Sequence, residues 1–133
     1  MIKCGTYPPR SFSPDDCYPS GSFQCVGASA GPATDLRSGI SLGTYTAAYL
    51  DNGIYRVTLP TSVTFPKKPW AILVSAEPDA AAQNFSVSVV TPGLVAGTRT
   101  FDILCTNGGT SVIEPTTACR INWLVIASNN TGK

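Results

Sequence analysis

The chain of 133 residues contains no histidine. That removes serine–histidine and cysteine–histidine nucleophile pairs, imidazole metal ligands and the commonest general base together. Charge is scarce as well: 13% of residues are Asp, Glu, Lys or Arg and the formal net charge is +1, against roughly 25% charged residues in ordinary soluble domains. With no strong field of either sign to attract phosphate or anionic lipid, neither nucleic acid nor a membrane surface is an expected partner. No apolar run approaches the roughly 20 residues of a bilayer-spanning helix. Met1 to Gly5 are not followed by an apolar secretory core. The expectation is a soluble protein made in a cytoplasm. Helical periodicity is missing too, and only "PDAAAQ", residues 78–83, suits a single helical turn.

What the chain has instead is proline, cysteine and hydroxyl groups. Its 15 Thr and 13 Ser imply a neutral, hydroxyl-rich surface suited to strands and close assembly. The length reads as one domain with a sizeable core. Residues 1–38 hold five of the eleven prolines (8, 9, 14, 19 and 32), three of the five cysteines and no periodic apolar pattern. Proline removes a backbone donor and fixes φ, so this stretch is predicted to be an irregular arm outside any sheet interior. Such an arm either orders on a neighbouring subunit or packs on its own domain. Residues 39–133 form the predicted β-domain.

From Ile40 onward, short strand-like runs alternate with turn residues, the pattern of an antiparallel sandwich or barrel. "SLGTYTAAY" leads through Asn52-Gly53, a type I′ hairpin signal, into "IYRVTLP". There Tyr55, Val57 and Leu59 share one face, with Arg56 and Thr58 on the other. "WAILVSA" (70–76), "FSVSVVT" (85–91), "RTFDILC" (99–105) and "CRINWLVIA" (119–127) complete the set, with prolines between them. The first and last of these four are apolar on both parities: Ile121, Trp123 and Val125 alternate with Leu124 and Ile126. Such strands are either central and covered on both sides, or they face another molecule.

The residues able to carry chemistry are dispersed. Glu77 and Asp79, flanking Pro78, could bind calcium or serve as acid and base, but a solvated loop accounts for both, and no enzyme is expected. Cys4, Cys17 and Cys25 are spaced by 12 and 7 residues, without the short knuckle of a zinc site. No metal or cofactor is expected. Cys105 and Cys119 stand at facing ends of two predicted strands. They read either as a disulfide or as two buried thiols. Trp70 and Trp123 read as core residues. Tyr45 and Tyr49, with Asp51 and Asn52 near the hairpin tip, are the better candidates for stacking on a sugar.

The runs "NGIYRVTLP" (52–60), "PWAILVSA" (69–76), "RTFDILCTN" (99–107) and "INWLVIASN" (121–129) resemble the ladder of small all-β virion-surface domains of tailed bacteriophages. These are head decoration (cement) proteins and tail-fibre or spike modules. The resemblance covers about residues 40–129, leaves the arm unmatched and transfers no site residue. It implies a jelly-roll or tumour-necrosis-factor-like sandwich on the capsid surface, binding the major capsid protein and itself, with a trimer favoured. In that setting Tyr7, Phe12, Tyr18 and Phe23 are the expected capsid or subunit contacts, since aromatic side chains anchor interfaces. The alternative is a carbohydrate- or receptor-binding module of a fibre, using Tyr45, Tyr49, Asp51 and Asn52.

Overall fold

A computed structural model describes residues 16–27, 30–39, 44–61, 63, 65, 68–78, 85–108 and 111–128. Among these there is no helix and there are ten strands: β1 (Asp16–Cys17), β2 (Ser20–Gln24), β3 (Gly31–Pro32), β4 (Thr34–Ser38), β5 (Thr46–Tyr49), β6 (Ile54–Thr58), β7 (Ala71–Glu77), β8 (Ser86–Val89), β9 (Thr100–Thr106) and β10 (Arg120–Ser128). The segment suited to a helical turn falls mostly on residues 79–83, outside the described residues.

The fold is an all-β sandwich of two antiparallel sheets. In the first, β10 lies between β7 on one side and β2 on the other, and β4 follows β2. β1 extends the line of β2 in one register, with Cys17 opposite Ala127 and Ser20 opposite Leu124. The second sheet has the order β3-β5-β6-β9-β8. β3 and β4 are separated by Ala33 alone, so the chain passes there from the second sheet to the first. The Ala33 N–H donates to Ala47 O at 2.8 Å.

This arrangement corrects the boundary expected from proline content. Residues 16–38 are not an arm beside the sandwich, for they supply four of its strands, and β2 stands between β10 and β4. The prolines are accommodated where a ladder can spare a donor. Pro32 lies in edge strand β3, and Pro19 falls between β1 and β2, where its carbonyl accepts the Val125 N–H at 2.8 Å.

The hairpin from β5 to β6 follows the sequence. Asn52 and Gly53 have φ of 49° and 74°, and the Ile54 N–H closes the turn on Asp51 O at 2.9 Å. Glycine is required at 53 for space as well, because a Cβ there would lie 2.5 Å from Val112 Cγ1.

The core fills the gap between the sheets. Ile121, Trp123, Val125 and Ala127 of β10 point inward, as do Phe23 of β2, Tyr55 and Val57 of β6, and Phe101, Ile103 and Cys105 of β9, all buried. Trp123 lies directly opposite Gly21, where a Cβ would come within 2.7 Å of its indole. The absent side chain makes the space that the ring occupies. Tyr45 and Phe101 meet Trp123 edge-on, at 5.0 and 5.6 Å between centroids. The indole N–H has no acceptor in hydrogen-bonding geometry, so aromatic packing and area burial hold the ring.

Candidate docking face

The outward side chains of the first sheet divide into a polar half and an apolar half. In the polar half Arg120 is the hub. Its Nη1 donates to Asp35 Oδ2 at 2.7 Å, its Nη2 to Asp35 O at 3.0 Å and its Nε to Ser22 Oγ at 3.1 Å. Asp35 adopts φ 46°, a left-handed conformation that short polar residues tolerate. Its carboxylate also accepts from Arg37 Nη2 at 3.1 Å. Hydrogen bonds from Arg37 and Arg120 hold this carboxyl below the usual carboxylate range. Next along β10, Asn122 Nδ2 donates to Ser75 Oγ at 3.3 Å and to Glu77 Oε2 at 3.0 Å.

Two residues further, polarity ends. Leu124 stands opposite Leu73 of β7 and Ser20 of β2, and Ile126 stands opposite Ala71. The register of β1 and β2 brings Tyr18 level with Ile126. Leu124 and Ile126 are half-buried by these neighbours, while Leu73 is 52% and Tyr18 53% exposed. The doubly apolar parity of β10 therefore has a physical outcome: one face is sealed by the second sheet, and the other forms an apolar strip at the surface. An exposed strip rimmed by polar groups is the usual mark of a contact surface.

At the edge of this strip the Trp70 N–H donates to Ile126 O at 2.8 Å, and the Trp70 side chain is 69% exposed. Its ring borders a groove between the start of β7 and the turn after β8, lined by Lys68, Ile72, Val89, Pro92 and Leu94. Lys68 Nζ donates to Pro92 O at 2.9 Å across the groove, and the Thr91–Pro92 peptide is cis.

The residues singled out from sequence scatter widely. Tyr7 and Phe12 lie outside the described residues. Tyr18 is on the apolar strip. Phe23 is 0% exposed and packs on Tyr55 at 5.4 Å, so as placed it is a core residue that no partner can touch. Tyr45 and Tyr49 are each 3% exposed. Tyr45 donates to Ser22 O at 2.8 Å, and Tyr49 Oη accepts the Gly53 N–H at 3.0 Å. Their rings brace the fold and offer a sugar no face, which leaves Asp51 and Asn52 alone at the exposed hairpin tip. Trp70, expected in the core, is the indole at the surface. Only its position directly after Pro69, ahead of the ladder rather than within it, hinted at this.

Cys105 and Cys119 are both buried, on different sheets, and no disulfide joins them. Burial pushes the Cys25 and Cys105 thiols up to about 12. Among the described residues, no group of three Cys, Asp or Glu side chains could hold a metal ion. The carboxylates of Asp35 and Asp102 are engaged by arginines, the latter through two bonds from Arg56 at 2.8 and 3.0 Å, and Glu77 is engaged by Asn122. Cys4 and the Asp79 carboxylate lie outside the described residues. Comparison with known protein families, curated proteins and solved structures found no match for the chain.

Proposed function

We propose that this is a virion structural protein of a tailed bacteriophage, a head decoration protein that assembles as a trimer and docks on the major capsid protein. The observation that carries the docking part is the apolar strip in which exposed Tyr18 and Leu73 flank half-buried Leu124 and Ile126. The strand runs resembling virion-surface domains support the class. In this reading the mechanism is burial. A standard interface covers about 1,600 Å² in total, and copies repeated around a symmetry axis hold neighbouring lattice subunits together without chemistry. Tyr18 is the aromatic anchor, and the Arg120–Asp35–Arg37 cluster forms part of the polar rim.

The test is co-sedimentation of the purified full-length protein with undecorated heads. Wild type binds at saturable stoichiometry, and Leu73→Asp, which places a charge in the strip beside Leu124, binds at least about 100-fold more weakly with an unchanged melting midpoint. Equal binding by Leu73→Asp removes the strip from the reading, and failure of the wild type to bind removes the decoration role itself.

Exposure of Trp70 beside a groove supports a second reading, a carbohydrate-binding module of a fibre tip. Its contacts would be centred on Trp70 rather than on Tyr45 and Tyr49. Retention on a glycan array that is lost in Trp70→Ala, with no affinity for heads, would favour it.

A further inference from the structure

Three of the five cysteines converge inside the sandwich, and their positions are unequal. Cys25 follows β2 and Cys119 precedes β10, continuing the register in which Gln24 faces Arg120. The Cys25 N–H donates to Cys119 O at 2.9 Å, so the two residues form a hydrogen-bonded antiparallel pair. Both side chains are fully buried on the inner face. In such a pair the Cα atoms are about 5.5 Å apart, within the range of about 4.4–6.8 Å that a disulfide spans. Cys105 also points inward, but from the opposing sheet. Facing sheets lie about 10 Å apart, beyond disulfide reach without backbone movement. The second hydrogen bond of the 25/119 pair is missing. The Cys119 N–H donates instead to Thr116 O at 3.0 Å, so the ladder ends at this pair.

We infer that Cys25 and Cys119 are an oxidation site, a cross-strand pair that forms a disulfide clamping β2 to β10. The chemistry is thiol–disulfide exchange with a low-molecular-weight disulfide such as oxidised glutathione. One cysteine thiolate attacks the glutathione disulfide, making a mixed disulfide and releasing a glutathione thiolate that takes up a proton. The second cysteine thiolate attacks the cysteine sulfur of the mixed disulfide and releases the second glutathione. The two cysteines lose two protons and two electrons, and one glutathione disulfide becomes two thiols. Burial keeps the thiol of Cys25 protonated in the folded sandwich, so exchange runs while β2 is detached from β10, during folding or on opening. The site holds whichever partner the outer strip meets.

The wild-type chain is refolded from denaturant in a glutathione redox buffer, alkylated and mapped by non-reducing proteolysis and mass spectrometry. The expected product is a linked peptide pair containing Cys25 and Cys119, lighter by two hydrogens than the sum of the reduced peptides. Its melting midpoint should exceed that of the reduced protein by about 10 °C. The same bridge should form in Cys105→Ser. Recovery of Cys25 and Cys119 both alkylated overturns the inference, as does a bridge from Cys119 to Cys105, Cys4 or Cys17. Mapping the wild-type chain keeps folding defects of a substituted protein out of the result.

Discussion

The two faces of β10 share a backbone and differ in everything else. On the inner face Ile121, Trp123, Val125 and Ala127 are all buried against the second sheet. On the outer face Arg120 and Asn122 are tied into ion pairs and hydrogen bonds, and Leu124 and Ile126 are covered only in part by Leu73, Ala71 and Tyr18. The outer face of the second sheet is more polar but also mixed: Thr46, Thr58 and Thr100 share one row, Arg56 pairs with Asp102 in the next, and in the row after it Ser88 stands beside a half-buried Leu104 and Ile54. Apolar character on both parities thus has two causes in one strand. The inner set makes the fold, whereas the outer set is left over after folding and is available for contact.

The comparison breaks most readily on the inner side. Trp123→Ala should cost about 3–5 kcal/mol in urea unfolding, as expected for emptying a large aromatic site. A loss below about 1 kcal/mol would mean that the inner face does not carry the stability assigned to it. Gly21→Val presses on the same ring from across the ladder and should cost about 1–3 kcal/mol by overpacking. The combination Gly21→Val with Trp123→Ala should recover part of the loss, because the new side chain then enters the space the indole vacates.

The polar half of the outer face gives the smallest signal, and it depends on pH. The folded-state pKa of Asp35 is depressed by Arg37 and Arg120, so its contribution is present above the unfolded carboxylate value of about 3.9 and is lost as pH falls through the folded value. Urea midpoints measured downward from pH 5 should therefore decline more steeply in wild type than in Asp35→Asn. Added salt should narrow the difference, since the group is exposed. Identical slopes would show that the Arg120 cluster positions side chains without stabilising the fold.

What could be read from the sequence was what local chemistry decides. Asn52-Gly53 marks its hairpin because only such residues take two positive φ values in succession, and the alternation of Tyr55, Val57 and Leu59 names its inward face without reference to the rest of the chain. β2 was illegible for the opposite reason. The prolines around it argued against a sheet interior, yet Pro19 needs only its carbonyl, and Gly21 is a vacancy for an indole about a hundred positions away in sequence. Phe23 consequently looked like an interface anchor when it is a core residue. Trp70 was misjudged because an apolar run does not itself mark which end leaves the ladder, and Pro69 before it was the one local sign.

The pairing of residues 16–24 with residues 120–128 has a consequence for biosynthesis. The second sheet needs only residues 31–106 and can begin to form while translation continues, but the first sheet lacks its middle strand until almost the whole described chain has left the ribosome. Until then β7 has no partner in that sheet and β2 has only β4, and their joining waits on the slow closure of a long loop. A nascent chain stalled before residue 120 should accordingly be bound by chaperones, and release of the last segment should be the moment at which it becomes resistant to protease.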